Sequence, residues 1–340
     1  MKYLFRAVLS GVFVFLLIPP FFASGPQVYI VATFTPEAPK EPTCILFVGD
    51  VMLGRRVETL MRENGSSYPF QSVTDFFKEN NEVIANLEGP VMHNHVPTPD
   101  MSTTFSFNEE YMPVLSEQGV TIVSLGNNHT YDFGKEKYEK TKEILKESKI
   151  EFVGHPFAIG EEYALRKTIG DQDFIFVSFN VTNPNFPYQA AVRHVGELAS
   201  TSPEARVVVL PHWGEEYVLH SNKKQQDFAH TLIDAGAFGV FGHHPHVVEE
   251  IELYNGHLIF YSLGNFIFDQ YFSEDVEQGL AVQMEMIDDI VGYNLLPIQI
   301  TQSQPGFMED NEKTAFLETL AKRSSIELRD SIQVGYIAIE

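Results

Sequence analysis

Residues 44–50 read CILFVGD, in which five apolar residues are followed by a glycine and a carboxylate. An uninterrupted apolar run of this length is typical of a strand that is buried on both faces, as in a parallel sheet. Gly49 is predicted to turn the chain where the strand ends, so that the Asp50 side chain projects from that end. Asp50 could equally cap a helix that begins at Val51. Whether Asp50 is a functional carboxylate at a strand end or a helix cap therefore depends on whether the same pattern of an apolar run, glycine and polar residue recurs along the chain.

Apolar runs that end in glycine and polar residues recur through the first half of the chain, with helical stretches between them. The predicted strands are 44–49, 82–87, 120–125 and 151–153, and the predicted helices lie near 70–79, 109–118 and 134–148. Strands that alternate with helices are usually parallel neighbours joined by helical crossovers.

The second half of the chain becomes increasingly antiparallel. Its predicted elements are strands 173–180, 206–211 and 238–241, a helix over about 221–236, strands 247–253, 257–262, 279–286 and 294–301, a helix over 311–323 and a closing strand 332–339. Asn255-Gly256, between two of these strands, is a hairpin signal. We therefore predict an α/β fold of two packed sheets with helices outside.

Residues 1–25 are predicted to direct export rather than to fold. Two basic residues precede the apolar run Ala7–Ile18, which is short for a membrane-spanning helix. A cleaved signal peptide and an uncleaved membrane anchor both fit, and both place the mature chain outside the cytoplasmic membrane. Residues 26–42 are predicted to be a tether, and residues 43–340 the folded domain.

The composition limits the classes of function. Asp and Glu number 46 against 23 for Lys and Arg, which gives a formal net charge of −23. This charge argues against a nucleic-acid partner, which would need a basic surface. It favours solubility or the attraction of divalent cations. Cys44 is the single cysteine and is predicted to be a small core residue, so an internal disulfide and a thiolate metal cluster are both excluded.

Side chains that can bind metals follow several of the predicted strands. They lie in Gly49-Asp50, Asn86-Leu87-Glu88-Gly89, Gly126-Asn127-Asn128-His129, His212-Trp213-Gly214 and Gly242-His243-His244-Pro245-His246. The last segment is the most specific, because three histidines crowd five positions at a strand end. Hydrolases hold divalent metals through oxygen donors and neutral imidazoles, with positions left open for water and substrate. We therefore predict one metal-dependent hydrolase site assembled from these segments.

Three further residues are candidates for roles beside the metal. Asp132 follows His129 closely enough to orient its imidazole. Arg55 could hold a carboxylate or a phosphate, and Asn265 could donate a hydrogen bond in the same pocket. A surface position for Arg55 and a plain turn at Asn265 are equally open from the sequence.

The segments, in this order, resemble the CapA-type capsule biosynthesis family. The resemblance extends over about residues 44–270 and rests on Gly49–Arg55, Asn86–Glu88, Asn127–Gly134, His212–Tyr217, Gly242–Val247 and Ser262–Phe266. That family is similar to the calcineurin-like metallophosphoesterases, so the resemblance implies a two-sheet β sandwich flanked by helices (αββα). It also implies work on poly-γ-glutamate capsule material.

The resemblance implies a role for each candidate residue. The implied metal ligands are Asp50 and His246 for one ion, Asn128, His212 and His244 for a second ion, and Glu88 as a bridge. His129, held by Asp132, would stabilise developing charge or protonate the leaving group. The metal, which would be Mn, Zn or Fe, would activate the attacking water.

The chain departs from the wider superfamily beside the first ligand. Phosphoesterases have Asp-x-His where this chain has Asp50-Val51-Met52, so the first ion would lose an imidazole and gain at most a thioether. One ion or two are therefore both compatible with the sequence. Two functions also stay open. One is a hydrolase that acts on a phosphoester or on an amide of a polyglutamate-like chain. The other is a non-catalytic, metal-stabilised module that binds the anionic polymer beside membrane synthase subunits.

Overall fold

The computed structural model describes residues 41–287 and 290–339, and in these residues most strands belong to two large sheets. In chain order the strands are β1 (Thr43–Val51), β2 (Glu82–Leu87), β3 (Val91–Met92), β4 (Phe107–Asn108), β5 (Ile122–Ser124), β6 (Glu151–Val153), β7 (Leu165–Ile169), β8 (Gln172–Asn180), β9 (Arg206–His212), β10 (Ala237–Phe241), β11 (Ile251–Tyr254), β12 (His257–Phe260), β13 (Asn265–Ile267), β14 (Gln278–Ile287), β15 (Ile290–Thr301), β16 (Gln304–Phe307) and β17 (Tyr336–Ile339). The α-helices are α1 (Arg55–Asn64), α2 (Thr74–Lys78), α3 (Tyr111–Glu117), α4 (Gly134–Glu147), α5 (Tyr188–Thr201), α6 (Lys223–Asp234), α7 (Asp310–Arg323) and α8 (Arg329–Val334).

The first sheet is half parallel and half antiparallel. Its strand order is β16-β15-β14-β1-β2-β5-β6, with β13 beside β1 and β17 beside β15. The strands β1, β2, β5 and β6 are parallel, whereas β14 to β17 pair antiparallel. The register places Asp50 opposite both Asn86 and Asn265, so the end of β1 lies between two polar neighbours.

The second sheet has a parallel centre and antiparallel edges. Its order is β11-β12-β10-β9-β8-β7, in which β12, β10, β9 and β8 are parallel. The edge strands β11 and β7 pair antiparallel with their neighbours. Asn255 (φ 50°) and Gly256 (φ 83°) form the two-residue turn between β11 and β12, which confirms the predicted hairpin.

The two sheets pack against each other and carry helices on their outer faces. Ile45 and Phe47 of β1 point into the core between the sheets, where the Phe47 and Phe241 rings stack at 3.7 Å between centroids. Leu46 and Val48 point the other way, into a core shared with the helices of the first sheet. Helices α5 and α6 cover the outer face of the second sheet. The predicted αββα fold is therefore confirmed, and β1 is buried on both faces as expected.

Some predicted elements need correction. β1 runs on to Val51, and α1 begins at Arg55 after Gly54, so Asp50 lies within a strand and does not cap a helix. The predicted strand 332–339 is half wrong, because α8 occupies its first residues and ends at Val334, just before Gly335 in the left-handed conformation (φ 77°). α1 and α5 were not predicted, although both are amphipathic and bury one apolar face, with Val57 and Leu60 in α1 and Val195 and Leu198 in α5.

Gly49, directly before Asp50, has a different structural role from the one predicted. Gly49 lies inside β1 and its φ is not positive, so it does not turn the chain. A Cβ at this position would collide with the carbonyl oxygen of Gly264. That carbonyl accepts the Asp50 N–H at 3.0 Å, so glycine allows the close approach that ties β1 to the start of β13.

The predicted export segment 1–25 and most of the tether 26–42 lie outside the described residues. Among the residues that the structure does describe, none of the helices combines the length and the hydropathy needed to span a bilayer.

Candidate metal centre

The candidate ligands meet where the carboxyl ends of parallel strands from both sheets come together. Asp50 is the penultimate residue of β1, and Glu88 directly follows β2. His212 is the last residue of β9, and His244 and His246 follow β10. The pairing of His212 with His243 extends the contact between β9 and β10 past the strand ends, so the two loops remain adjacent.

Asp50, Glu88 and His212 form a buried group with Asn86 at its centre. One potential ligand atom from each of the three lies within 4.8 Å of the other two. The Asn86 amide nitrogen is 2.8 Å from Asp50 Oδ1, 3.2 Å from Glu88 Oε1 and 3.2 Å from His212 Nδ1. Asn86 therefore positions all three side chains, although it was not singled out from the sequence.

The buried carboxylates make this group suitable for a divalent cation. Glu88 Oε2 is buried and has no hydrogen-bond partner among the described residues. Burial, reinforced by the charge of Asp50, raises the pKa of Glu88 well above its ordinary value. Burial also opposes ionisation of Asp50, but hydrogen bonding to His246 and the positive charge of nearby histidines lower its pKa overall. A cation here would satisfy the free oxygen and offset the repulsion, so the donor set fits a metal.

Two of the imidazoles, His212 and His244, are held in the neutral form that binds metals. Burial, followed by the charges of neighbouring histidines, lowers the pKa of His212 well below its ordinary value and that of His244 to about 3. The two rings lie 4.7 Å apart between centroids. His212 Nε2 is 2.7 Å from Asn128 Oδ1, so the predicted ligand Asn128 lies beside the same ring.

His246 is oriented by Asn265. The Asn265 amide nitrogen donates to the Val276 carbonyl at 3.0 Å and to Gln270 Oε1 at 3.0 Å, so its Oδ1 faces His246 Nδ1, also at 3.0 Å. His246 Nδ1 therefore carries the hydrogen, and its Nε2 is left for a metal. Both amide hydrogens of Asn265 are thus used within the protein, and its predicted contact with substrate stays a prediction.

His129 and Asp132 form a pair at the rim of the centre. His129 Nδ1 is 2.9 Å from Asp132 Oδ2, which also accepts the Phe105 N–H at 2.7 Å. The Phe105 ring packs on the imidazole at 4.0 Å between centroids. Because Asp132 accepts at Nδ1, the Nε2 of His129 is directed away from it and is available to a substrate.

Arg55 lies beside the centre and is already paired. Its Nε donates to Asp269 Oδ2 at 3.1 Å, its Nη2 forms an ion pair with Asp269 Oδ1, and its Nη1 donates to the Ser102 carbonyl at 3.0 Å. The guanidinium also lies over the Phe105 and Phe268 rings. The sequence did not reveal the Asp269 partner, because it lies far along the chain. Substrate binding by Arg55 stays a prediction.

Met52 and Glu216 differ from what the motifs alone suggest. The Met52 thioether is buried among apolar residues and accepts the Gly54 N–H at 3.1 Å. Glu216 was not assigned a role from the sequence, yet its carboxylate forms a group with His244 and His246 whose potential ligand atoms lie within 4.8 Å of one another. The structure thus groups His212 with Asp50 and Glu88, and His244 with His246 and Glu216, while His246 Nδ1 also lies 3.2 Å from Asp50 Oδ2. The implied distribution of ligands over two ions stays a prediction.

Asn127 and Trp213 are further residues whose roles only the structure shows. Asn127 donates to Asn86 Oδ1 at 3.0 Å and to the Leu87 carbonyl at 2.9 Å, so it joins the loop after β5 to the end of β2. Trp213 is buried and donates to the Tyr261 carbonyl at 2.7 Å, which makes it a packing residue. Both lie in the motif segments, but their neighbours could not be read from spacing.

Comparison with known proteins gives matches over most of the chain. The family model described as bacterial capsule synthesis protein PGA_cap matches residues 44–270. The chain is 31% identical over 277 residues to PGA biosynthesis protein CapA of Bacillus subtilis (strain 168), covering 76% of this chain and 72% of that protein. It is 30% identical over 289 residues to capsule biosynthesis protein CapA of Bacillus anthracis, covering 78% and 69%.

The proteins of solved structure that match this chain have lower sequence identity than the CapA relatives. A hypothetical protein from Thermus thermophilus aligns with a TM-score of 0.47 at 20% identity, over 75% of this chain and 99% of that one. The family match extends across the strand ends that carry the candidate ligands. The chain therefore belongs to the bacterial capsule synthesis protein family PGA_cap.

Proposed function

We propose that this protein acts outside the cytoplasmic membrane in poly-γ-glutamate capsule synthesis or export, as a metal-dependent hydrolase of the phosphoesterase type. Its substrate would be a phosphoester or an amide in a polyglutamate-like chain. Membership of the capsule synthesis family supports the pathway, and the CapA relatives are named for PGA and capsule biosynthesis. The strand-end centre supports the reaction class.

The single observation that carries the hydrolase proposal is the free oxygen of Glu88. A buried carboxylate oxygen without a partner is costly, and natural proteins retain such groups mainly where they bind something. Here it lies beside Asp50 and His212, in a donor set of carboxylates and neutral imidazoles that suits Mn, Zn or Fe. When bound, such an ion lowers the pKa of a water molecule and neutralises charge on the substrate.

The protein's own residues would complete the reaction. His129 presents Nε2 at the rim of the centre while Asp132 fixes the tautomer through Nδ1. This arrangement allows His129 to donate a hydrogen bond to developing negative charge or a proton to the leaving group. Burial of His212, His244 and Asp50 removes water from around the reacting groups, which strengthens each electrostatic interaction there.

The hydrolase proposal is tested with the full chain, loaded with Mn²⁺ or Zn²⁺ and assayed on a phosphomonoester, a phosphodiester and poly-γ-glutamate. We expect turnover of at least one substrate that is lost on chelation and in His244→Ala. Equal turnover in the wild type and in His244→Ala would contradict the proposal. Exposure of the domain on intact cells, measured by protease treatment and immunoblotting with a cytoplasmic control protein, tests the location.

A non-catalytic role is favoured by one observation, the burial of the Met52 thioether among apolar residues, where it accepts the Gly54 N–H. In that case the metal would hold an anionic polymer or stabilise a loop, and synthesis would belong to membrane partners. A chain with a net charge of −23 repels polyglutamate except near a bound cation. Polymer capture that depends on the metal, without turnover of any substrate, would support this second function.

A further inference from the structure

Glu216 lies beside the histidine pair that follows β10. Building on the metal-dependent function proposed above, we propose that Glu216 is a protein ligand of the ion held by His244 and His246. None of the sequence motifs assigned this residue a role. The three side chains form a group whose potential ligand atoms all lie within 4.8 Å of one another.

The backbone fixes Glu216 in this position. The loop after β9 is joined to the loop after β10 by hydrogen bonds from Trp213 N to the His243 carbonyl at 3.0 Å and from Tyr217 N to the Pro245 carbonyl at 2.8 Å. Tyr217 adopts a left-handed conformation (φ 65°), which a residue with a side chain takes only when its surroundings require it. The backbone of Glu216 therefore stays beside the histidines while these contacts are intact.

The donor set is chemically complete for a transition metal. Two imidazoles and one carboxylate are a ligand set that zinc hydrolases use, with a remaining position open to water or substrate. Asn265 already fixes His246 so that its Nε2 is free. Met52 contributes no donor, because its sulfur accepts the Gly54 N–H. Glu216 thus supplies, from a different loop, a hard ligand beside the two imidazoles.

Glu216 differs from the other candidate ligands in exposure. Asp50, Glu88, His212, His244 and His246 are buried, whereas Glu216 is exposed at the mouth of the centre. An exposed carboxylate keeps its hydration until the ion arrives, so its substitution has little effect on folding. Because Glu216 is exposed, an effect of its substitution on metal binding can be distinguished from an effect on folding.

The test compares Glu216→Gln with Glu215→Gln, an adjacent exposed glutamate whose substitution removes the same charge from the same loop. Full-length proteins are stripped with chelator and titrated with Zn²⁺ alone and with Co²⁺ alone, by calorimetry and by the visible absorption of bound Co²⁺. We expect Glu216→Gln to bind one ion at least about tenfold more weakly and to change the Co²⁺ spectrum. Glu215→Gln should match the wild type in both measurements.

Equal metal affinity, stoichiometry and Co²⁺ spectrum in the two variants would overturn the ligand role. Melting curves in chelator check the fold, and both variants should unfold at the wild-type temperature. If the wild type hydrolyses substrate while the variants bind metal equally, only the Glu216 inference fails. If metal binding depends on Glu216 but no substrate turns over, the ligand role stands and the hydrolase function fails.

Discussion

His244 and His246 both adopt backbone conformations that residues with side chains rarely take, with φ of 100° and 59°. Each such residue costs about 1–3 kcal/mol, so the conformations persist only because surrounding contacts enforce them. The His244 N–H donates to Asp50 Oδ2 at 3.3 Å, and Asn265 holds the His246 ring. These contacts hold both imidazoles beside the end of β1, where the ligand atoms of His244 and His246 lie close together.

His129 and Asp132 are expected to affect the reaction and not metal binding. His129→Ala should lower kcat by about 10²–10⁴-fold, because the leaving group loses its proton donor. Asp132→Asn should lower it less, since the imidazole remains but its tautomer is no longer fixed. Steady-state assays together with elemental analysis check both effects. His230→Ala is the control and should retain activity, because it removes a histidine of α6 that pairs with Glu252 of β11. Loss of metal in His129→Ala would contradict the assignment.

Glu88→Gln should have opposite effects with and without metal. In chelator, the variant should be as stable as the wild type or more so, because burial and the charge of Asp50 oppose ionisation of Glu88 whereas the glutamine amide does not ionise. With metal, the wild type should gain a few kcal/mol through binding to the folded state, and the variant should gain much less. Melting temperatures in EDTA and in Mn²⁺ measure both effects.

Glu82→Gln is the matched control for Glu88→Gln. Glu82 begins the same strand, β2, and pairs with Lys167 at 2.9 Å, away from the centre. Its substitution should lower stability slightly and leave the metal-induced rise in melting temperature unchanged. A Glu88→Gln variant that is strongly destabilised in chelator would show that the carboxylate is structural.

At the scale of the elements, the centre depends on how closely β1 approaches β13. Only a glycine at position 49 lets the Gly264 carbonyl reach the Asp50 N–H. Gly49→Ala should therefore cost about 1–3 kcal/mol and weaken metal binding, because overpacking shifts the backbone that carries Asp50. Urea unfolding and metal titration measure the two effects.

Gly239→Ala in β10 is the control for Gly49→Ala. A Cβ at Gly239 would make ordinary contacts, with its nearest neighbours at 3.6 Å. We expect this variant to be nearly as stable as the wild type and to bind metal normally. Equal behaviour of the two alanine variants would show that the approach of β13 does not constrain the centre.

Across the whole molecule, the pH dependence of stability has an identifiable contribution from Glu249. This residue is buried, with Oε1 unpaired among the described residues and Oε2 accepting from Gln225 of α6 at 2.8 Å. Burial, reinforced by the charge of Glu250, raises the pKa of Glu249 to about 8 from an ordinary value of 4.5. The folded protein therefore keeps a proton that the unfolded chain releases between these two values.

Stability should accordingly fall as the pH rises from 4.5 through 8, by at most about 1.4 kcal/mol per pH unit from this residue. Glu249→Gln should remove this contribution, so its stability relative to the wild type should grow with pH. Urea unfolding between these pH values checks the trend, with Glu197→Gln on the exposed face of α5 as the control. A constant difference between Glu249→Gln and the wild type would exclude a raised pKa.

Local patterns in the sequence determined most of the elements and the candidate ligand types. Apolar runs and helical periods predicted the strands β1, β2, β5 and β6 and the helices α2, α3 and α4. The polar residues after these and later runs marked Asp50, Glu88 and His212. Such signals are local, because burial on both faces and turn formation depend on a few neighbouring residues. They were insufficient at 332–339, where a short apolar segment fits a helix or a strand equally well.

Only the tertiary structure decided which of these residues meet and what each one contacts. Pairing of β9 with β10, and of β1 with β2 and β13, brings His212, Asp50 and Asn265 to one edge. The same packing pairs Arg55 with Asp269, buries Met52 and places Glu216 beside the histidines. These contacts join residues far apart in the chain, so they follow from sheet order and loop geometry rather than from the spacing within any one segment.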